Sequence, residues 1–219
     1  MMKESDGNSH STIWLHLLLA GSPPSACFLS RQIYGWDIVS HPSQTLLLLL
    51  AVEAPIVIGA YSWLRRDRGR CSFLLAAGRG LLAIPIGALL NAFGAIVLGA
   101  PVGIKYWINT IYWSLLMSLL TFVPAVCVFG SSKTDWQTVL SLSKLSETVD
   151  CMISIPAHGA VIGAWLGAWP MPLDWERPWQ EWPICVTYGA LAGYLFGLLA
   201  SSVYILLLSR RSASHAKGD

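Results

Sequence analysis

Few side chains in this sequence of 219 residues could do chemistry. The acids and the histidine that lie between apolar blocks and could ligate a divalent cation are Asp37, His41, Asp174, Glu176 and Glu181. Metal-assisted transfer needs such ligands to converge on a cation beside a nucleophile. Asp174 and Glu176 lie two residues apart without a nearby histidine, and the chain has no Gly-rich phosphate loop and no zinc-type cysteine spacing. We therefore expect no catalytic residues, no metal site and no cofactor.

Other polar side chains fall inside the apolar blocks, where burial of an ionisable group is costly and often marks function. They are Glu53, His16, His158 and Asn91. One interpretation joins Glu53 and His158 into a polar route through the protein. The other, which we favour, is structural: Glu53 is protonated, or bonds Asn91 or a histidine and helps the helices to pack.

The elements that carry these residues are apolar blocks of transmembrane length. Hydrophobic residues make up 54% of the chain and charged residues 12%, against about 25% charged residues in soluble proteins. A helix needs about 20 apolar residues to cross a bilayer, and the blocks lack the alternation of barrel strands. The sequence predicts an all-α, polytopic transmembrane helix bundle that forms one integral membrane domain, residues 1–219, of about six spans. The spans are 12–29, 44–64, 81–99, 107–129, 149–169 and 184–208.

The first span has two interpretations. Ser22, Pro23, Pro24 and Ser25 interrupt it, and its length and small residues also suit a cleaved signal peptide. We favour a retained span. Both interpretations place residues 30–43 outside the cytoplasm.

Basic residues predict the topology. Five arginines lie between spans two and three, and loops rich in lysine and arginine stay cytoplasmic: Arg65, Arg66, Arg68, Arg70 and Arg79. This orientation puts both termini in the cytoplasm and leaves only Arg31, Lys105 and Arg177 outside. We interpret the cluster as a topology determinant rather than a nucleic-acid or lipid site, and we predict no nucleic-acid partner. The loop 170–183 then joins spans five and six on the outer or lumenal side.

Spans five and six each carry glycines at a spacing of four, which places them on one helix face. They are Gly159, Gly163 and Gly167 in span five, and Gly189, Gly193 and Gly197 in span six. Close backbone approach at small residues drives helix association in lipid. Two alternatives remain open: the two stripes pack on each other, or one of them receives a helix of another protein.

The loop PMPLDWERPWQEWP, residues 170–183, is unusually rigid and charged for this chain. Pro170 and Pro172 end span five, because proline lacks a donor and fixes φ, and Pro183 suits the first turn of span six. An aromatic belt at the headgroup layer accounts for Trp165, Trp169 and Trp182. A belt does not require acids, and a preorganised loop binds at lower entropic cost. The predicted partner-binding residues are Asp174, Trp175, Glu176, Arg177, Pro178 and Trp179, and Arg177 is expected to pair with Asp174 or Glu181, with an acid of the partner, or with a lipid phosphate.

The stretch GAWLGAWPMPLDWERPWQEWP, residues 163–183, and the glycine-striped last span resemble the PIG-F family (phosphatidylinositol-glycan biosynthesis class F protein). The match is specific at PLDWERPWQ, residues 172–180. Weaker support comes from GAP at 99–101, FVPAVC at 122–127 and Trp136, whereas residues 1–75 are similar in hydropathy and length only.

The resemblance implies a multi-pass protein of the endoplasmic reticulum membrane that is required for GPI-anchor assembly. Members associate with, and stabilise, the ethanolamine-phosphate transferases PIG-O and PIG-G, whose metal-dependent catalytic domains are lumenal. The resemblance therefore implies a non-catalytic accessory subunit whose partners are such transferases and membrane lipids. Two hypotheses stand beside it: an enzyme in its own right, and a lipid-handling or transport protein for the GPI precursor or its phosphatidylethanolamine donor, with Glu53 in the path.

Overall fold

The computed structural model describes the backbone of residues 2–66, 68–69, 71–141 and 148–215, and the side chains of residues 14–66, 68–69, 71–137, 148–208 and 210. Within these ranges the chain is helical and contains no strand. The helices are α1 (Met2–Tyr34), α2 (Pro42–Trp63), α3 (Phe73–Val97), α4 (Ile104–Phe129), α5 (Lys133–Ser141), α6 (Thr148–Ala168) and α7 (Ile184–His215). A short 3-10 helix, Pro178–Gln180, lies between α6 and α7. The all-α, multi-span prediction is confirmed.

Five described helices are long and apolar enough to cross a membrane: α2, α3, α4, α6 and the part of α7 up to Leu208. Their bounds differ from the prediction mainly in α3, which begins at Phe73 rather than at residue 81. The side chain of Ser72 accepts a hydrogen bond from the Leu75 N–H at 3.2 Å, which satisfies one free donor of the first turn. Helix α5, which the sequence analysis did not predict, follows α4 after a short turn.

Helix α1 contains the predicted span 12–29 and runs without a break through Pro23 and Pro24, so the expected interruption is wrong. Helix α1 packs against α2 and α7 and buries His16, Leu19 and Ala26. Helix α1 is not among the five helices above, and its span begins outside the described side chains, so the sixth crossing and the retention of this segment stay predictions.

Helix α4 is the centre of the bundle, because it packs against α2, α3 and α6. Its buried face includes Leu116, Leu119, Leu120 and Val123, each at most 1% exposed. Helix α7 packs against α6 on one side and α1 on the other. The start of α4, the end of α6 and the start of α7 therefore lie close together. The loop between α6 and α7 lies at this end of the bundle.

The opposite end of the bundle is held by an ion-pair network around Arg66. Its guanidinium lies 2.5 Å from a carboxylate oxygen of Asp135 in α5 and 2.8 Å from one of Asp150 in α6, and it also stacks over the ring of Phe129 at 5.0 Å. This arginine therefore ties three segments together, besides the topological role that the sequence predicts for its cluster. The orientation in the membrane stays a prediction.

Candidate functional site

The glycines of α6 and α7 face each other along the whole hairpin. A Cβ atom at Gly163 would lie 2.9 Å from the Cα of Gly193, and one at Gly167 would lie 2.5 Å from the carbonyl oxygen of Cys185. A Cβ at Gly197 would lie 2.6 Å from the Cα of Pro156. Gly159 and Gly189 are equally close to the backbone of the opposite helix. The two backbones are in direct contact, which any side chain larger than hydrogen would prevent.

This geometry decides between the two alternatives for the stripes. Each stripe is covered by the other, so neither is open to a foreign helix. Of the two alternatives, the one in which the stripes pack on each other is confirmed, and the one in which a stripe accepts a helix of another protein is wrong, because the close approach is already used internally. The glycines act on the site by holding the end of α6 close to the start of α7.

Gln180 organises the loop between these ends. Its side chain is 7% exposed, and its amide nitrogen donates to the carbonyl oxygens of Pro170 at 2.6 Å and Leu173 at 2.8 Å. Its amide oxygen accepts the backbone N–H of Arg177 at 2.9 Å, and its own N–H donates to the Arg177 carbonyl at 2.9 Å. One side chain thus joins the start and the end of the loop. The sequence analysis missed Gln180; the only available signal was a polar, uncharged residue among charged and aromatic ones.

Trp182 anchors the loop to α4. Its side chain is 6% exposed, packs against Trp113 with 5.0 Å between ring centroids, and donates its indole N–H to Thr110 at 2.9 Å. The belt prediction is therefore wrong for Trp182, because its N–H finds a partner inside the protein. Trp165 and Trp169 remain 68% and 74% exposed, as a belt requires.

The outer face of the loop carries the six predicted partner-binding residues. All of them are exposed: Asp174, Trp175, Glu176, Arg177, Pro178 and Trp179. The rings of Trp175 and Trp179 lie 6.0 Å apart and present one aromatic surface. Glu176 adopts a left-handed backbone conformation with φ +48°, which is uncommon for a side chain other than glycine and often accompanies a functional turn. We call residues 174–179 the exposed segment.

The charges of the loop pair differently from the prediction. Glu181 lies 3.8 Å from Lys105 in the first turn of α4, and both side chains are mostly exposed. Among the described residues Arg177 forms no ion pair with Asp174 or Glu181, so the first of the three possibilities considered for it, a pairing inside the loop, is wrong. Its guanidinium remains available to a partner acid or a phosphate.

The other candidate ligands serve local structure. Asp37 accepts the backbone N–H groups of Val39 at 2.8 Å and Ser40 at 2.9 Å, and the Ser40 hydroxyl at 2.7 Å. The hydrogen bonds from Ser40 are the main reason that the pKa of Asp37 is lowered. His41 contacts the Ser40 hydroxyl at 3.0 Å. Within the described part of the chain, no three metal-ligating residues converge.

Glu53 is fully buried and bonds a residue that the sequence analysis did not select. One carboxyl oxygen accepts the hydroxyl of Ser22 in α1 at 2.9 Å. The expected bond to Asn91 or a histidine is wrong, since Asn91 donates to the Gly87 carbonyl and His158 contacts the Ser154 carbonyl at 2.8 Å. The hydrogen bonds described here do not join Glu53 to His158. Glu53 instead ties α1 to α2.

The fold and the site define a class: a helical membrane protein with an exposed loop that is fixed on its inner side by hydrogen bonds. Residues 25–202 match the model of the GPI biosynthesis protein family Pig-F. The chain belongs to this family, which confirms the resemblance seen at residues 163–183.

Curated relatives agree with this assignment. The chain is 38% identical over 130 residues to the human protein "GPI ethanolamine phosphate transferase, stabilizing subunit", which covers 58% of this chain and 59% of that protein. It is 36% identical over 130 residues, 59% of this chain and 25% of the relative, to a Schizosaccharomyces pombe PIGF/3-ketodihydrosphingosine reductase fusion protein. It is 37% identical over 106 residues, 48% of this chain and 37% of the relative, to the Neurospora crassa glycosylphosphatidylinositol anchor biosynthesis protein 11. The matched part thus spans less than two thirds of each of these relatives. No solved structure matches the chain.

Proposed function

We propose that this chain is a non-catalytic subunit that binds and stabilises a GPI ethanolamine phosphate transferase in the endoplasmic reticulum membrane. Membership of the Pig-F family and the names of the human and mouse relatives support this role. The transferases of the PIG-O and PIG-G type, which modify mannoses of the anchor precursor, are the proposed partners.

The observation that carries the proposal is the contrast between the two sides of the loop. Its inner side is fixed by the hydrogen bonds of Gln180 and by Trp182 against α4. Its outer side presents the exposed segment, with two tryptophans and Arg177. Tryptophan and arginine dominate the binding energy of many interfaces, and a rigid backbone loses little entropy on binding. The exposed segment therefore suits a protein surface at the membrane boundary.

The glycine hairpin contributes indirectly to this role. Because α6 and α7 contact each other through their glycines, the loop above them has fixed ends. A substitution that separates the helices would displace the exposed segment without touching the partner. A glycine variant that loses partner binding would do so because its exposed segment is displaced. The fold of such a variant must therefore be measured together with its binding.

Co-purification from mild detergent tests the proposal. A tagged chain should retain a transferase in stoichiometric amount, identified by mass spectrometry. Combined Asp174→Ala and Arg177→Ala substitutions should reduce the retained transferase at least tenfold without changing the thermal midpoint of the isolated chain. Lys105→Ala with Glu181→Ala is the matched control, since it removes one cation and one anion from the same end outside the exposed segment.

Each outcome has a defined meaning. If both double variants retain the transferase in the same amount as the wild type, the exposed segment is excluded as the binding surface. A clean chain with no large partner would contradict the subunit role. Release of transfer product by the purified chain alone, given phosphatidylethanolamine and a mannosyl acceptor, would show an enzyme instead.

A further inference from the structure

Three arginines at the Arg66 end of the bundle have no acid to balance their charge. Arg65, Arg68 and Arg79 form no ion pair within the described part of the chain. Both carboxylates of the network described above are bound by Arg66 instead. A topological role requires only the positive charge of the cluster, so it does not explain where these three guanidinium groups lie.

Two of these side chains are held at the end of α2 by backbone carbonyls. Arg65 donates to the carbonyl oxygens of Ser62 at 3.1 Å and Cys71 at 2.6 Å. Arg68 donates to the carbonyl oxygen of Trp63, the last residue of α2, at 3.2 Å. Both guanidinium groups therefore lie where α2 leaves the apolar part of the bundle and α3 is about to enter it.

The third side chain reaches the same level from within α3. Arg79 follows the first residue of this helix, Phe73, by six steps of 1.5 Å, or about 9 Å. Its side chain leans toward the start of the helix, as helical side chains do: a Cβ at Gly130, the residue after α4, would lie 2.7 Å from one of its nitrogen atoms. The guanidinium of Arg79 is thus at the end of α4, and Arg79 is exposed there.

Exposed apolar side chains flank the arginines. Trp63 at the end of α2 and Leu74 at the start of α3 are 61% and 80% exposed, and the guanidinium of Arg68 lies 6.0 Å from the ring centre of Trp63. Such apolar side chains suit hydrocarbon, whereas a guanidinium beside them extends to the headgroup layer. The arginines therefore face lipid phosphates. A nucleic acid or a soluble acidic protein would have to cover the apolar side chains as well.

The guanidinium groups keep donors for such a phosphate. Each has five N–H donors; Arg65 uses two and Arg68 one, and Arg79 uses none toward the described residues. Arginine binds phosphate oxygens through paired N–H groups. In a zwitterionic lipid the ammonium group offsets the phosphate charge, so unbalanced arginines favour a headgroup with a net negative charge.

We propose that Arg65, Arg68 and Arg79 bind the headgroups of anionic glycerophospholipids in the leaflet at this end of the bundle. The predicted topology makes this leaflet the cytoplasmic one. The lipid phosphates accept the free N–H groups, and the acyl chains lie against the exposed apolar side chains of α2 and α3. This surface is formed by this chain alone and lies at the end opposite to the exposed segment, so it is independent of the proposed transferase binding.

Competition between two lipids tests the proposal on the full chain without a transferase. The chain in mild detergent is offered equal amounts of phosphatidylserine and phosphatidylcholine with the same acyl chains, and native mass spectrometry counts the lipids that stay bound. The wild type should retain phosphatidylserine in preference. Arg68→Gln with Arg79→Gln should lower that preference at least fivefold, since one arginine near a membrane surface contributes about that factor.

Arg31→Gln with Lys105→Gln is the matched control. It removes the same charge at the opposite end, where Lys105 lies 3.8 Å from Glu181 and Arg31 interacts with Asp37, and it should keep the preference. A wild type without the preference, a preference that survives the change at Arg68 and Arg79, or an equal loss in the control would overturn the proposal.

Arginine modification by phenylglyoxal needs no variant, so it remains available if the double variant does not fold. In nanodiscs, Arg68 and Arg79 of the wild type should react at least fivefold more slowly when phosphatidylserine replaces part of the phosphatidylcholine. Inorganic phosphate added to phosphatidylcholine nanodiscs should not protect them. Equal reaction rates with and without phosphatidylserine would overturn the proposal. Equal protection by inorganic phosphate would show a general anion site and would overturn it as well.

Discussion

Replacement of Gln180 by glutamate tests whether one buried amide holds the outer loop in place. The two side chains have nearly the same shape. Glutamate retains an oxygen that can accept the Arg177 N–H, but it lacks the amide nitrogen that donates to Pro170 and Leu173. A carboxylate oxygen would instead face two carbonyl oxygens at 2.6 and 2.8 Å. The change therefore replaces two attractions by two repulsions at an unchanged volume.

The magnitude follows from those two bonds. Each intramolecular hydrogen bond contributes about 1 kcal/mol, and a buried acceptor that loses its donor costs about 1–3 kcal/mol. Water can reach part of the loop, so we expect the Gln180→Glu variant to lose about 3 kcal/mol of the free energy of unfolding. For a chain of this size that loss corresponds to a midpoint about 6–12 °C lower.

The assay combines a global and a local readout. Tryptophan fluorescence during heating in mild detergent gives the midpoint, and hydrogen exchange of peptides from 171–183 reports on the loop. The backbone N–H groups of Gln180 and Glu181 donate to carbonyls within the loop, so their exchange should accelerate at least tenfold. Gln44→Glu is the matched control, because Gln44 is exposed at the start of α2. A midpoint within 1 °C of the wild type, with unchanged exchange, would refute the role given to Gln180.

Three further changes test other parts of the structure. Gly193→Leu should destabilise the chain by at least about 3 kcal/mol in unfolding titrations, since its Cβ meets backbone atoms of α6. Gly59→Leu is the control and should change the stability little, because a Cβ there meets nothing within 4 Å. Equal effects of the two substitutions would contradict the hairpin contact. Arg66→Met should cost about 2 kcal/mol, because it removes the guanidinium 2.8 Å from the buried carboxylate of Asp150; unfolding titrations that match the wild type would show that this pair contributes nothing. The lowered pKa of Asp37 means that its turn is stabilised above the ordinary carboxyl pKa and loses that stabilisation as the pH falls through the lowered value. Asp37→Asn should abolish this pH dependence, measured by NMR of residues 37–41, and its persistence would assign it to another group.

The sequence could predict the class and the family because those depend on local signals. Apolar blocks of transmembrane length follow from the amount of hydrocarbon that a helix must bury in lipid, and the stretch PLDWERPWQ is distinctive in itself. The exposed segment was also predictable, since a charged and proline-rich loop between two spans has no apolar environment to enter. Helix ends were less predictable where a cap such as Ser72 allows the helix to extend beyond its apolar part.

The sequence could not predict which polar groups meet, because that depends on helix rotation and depth. Glu53 bonds Ser22 rather than Asn91, although all three lie in apolar blocks. Trp182 is buried against Trp113 while Trp169, at the other end of the same loop, faces outward. These partners are separated by tens of residues in the chain, and only the packing of the helices brings one of them within hydrogen-bond distance.

The glycine stripes show the same division. A spacing of four determined that each stripe lies on one face of its helix, because the α-helix repeats every 3.6 residues. It could not determine what covers that face, since a second helix of this chain and a helix of another protein satisfy the same requirement for close approach. The tertiary structure decided it: the backbones of α6 and α7 contact each other at the glycines, and the loop that joins the two helices is fixed from within by Gln180. The sequence by itself thus determined a membrane-spanning member of a family with an unusual outer loop. Only the tertiary structure decided that the glycines are used inside the chain and that the side chains of the exposed segment face away from it.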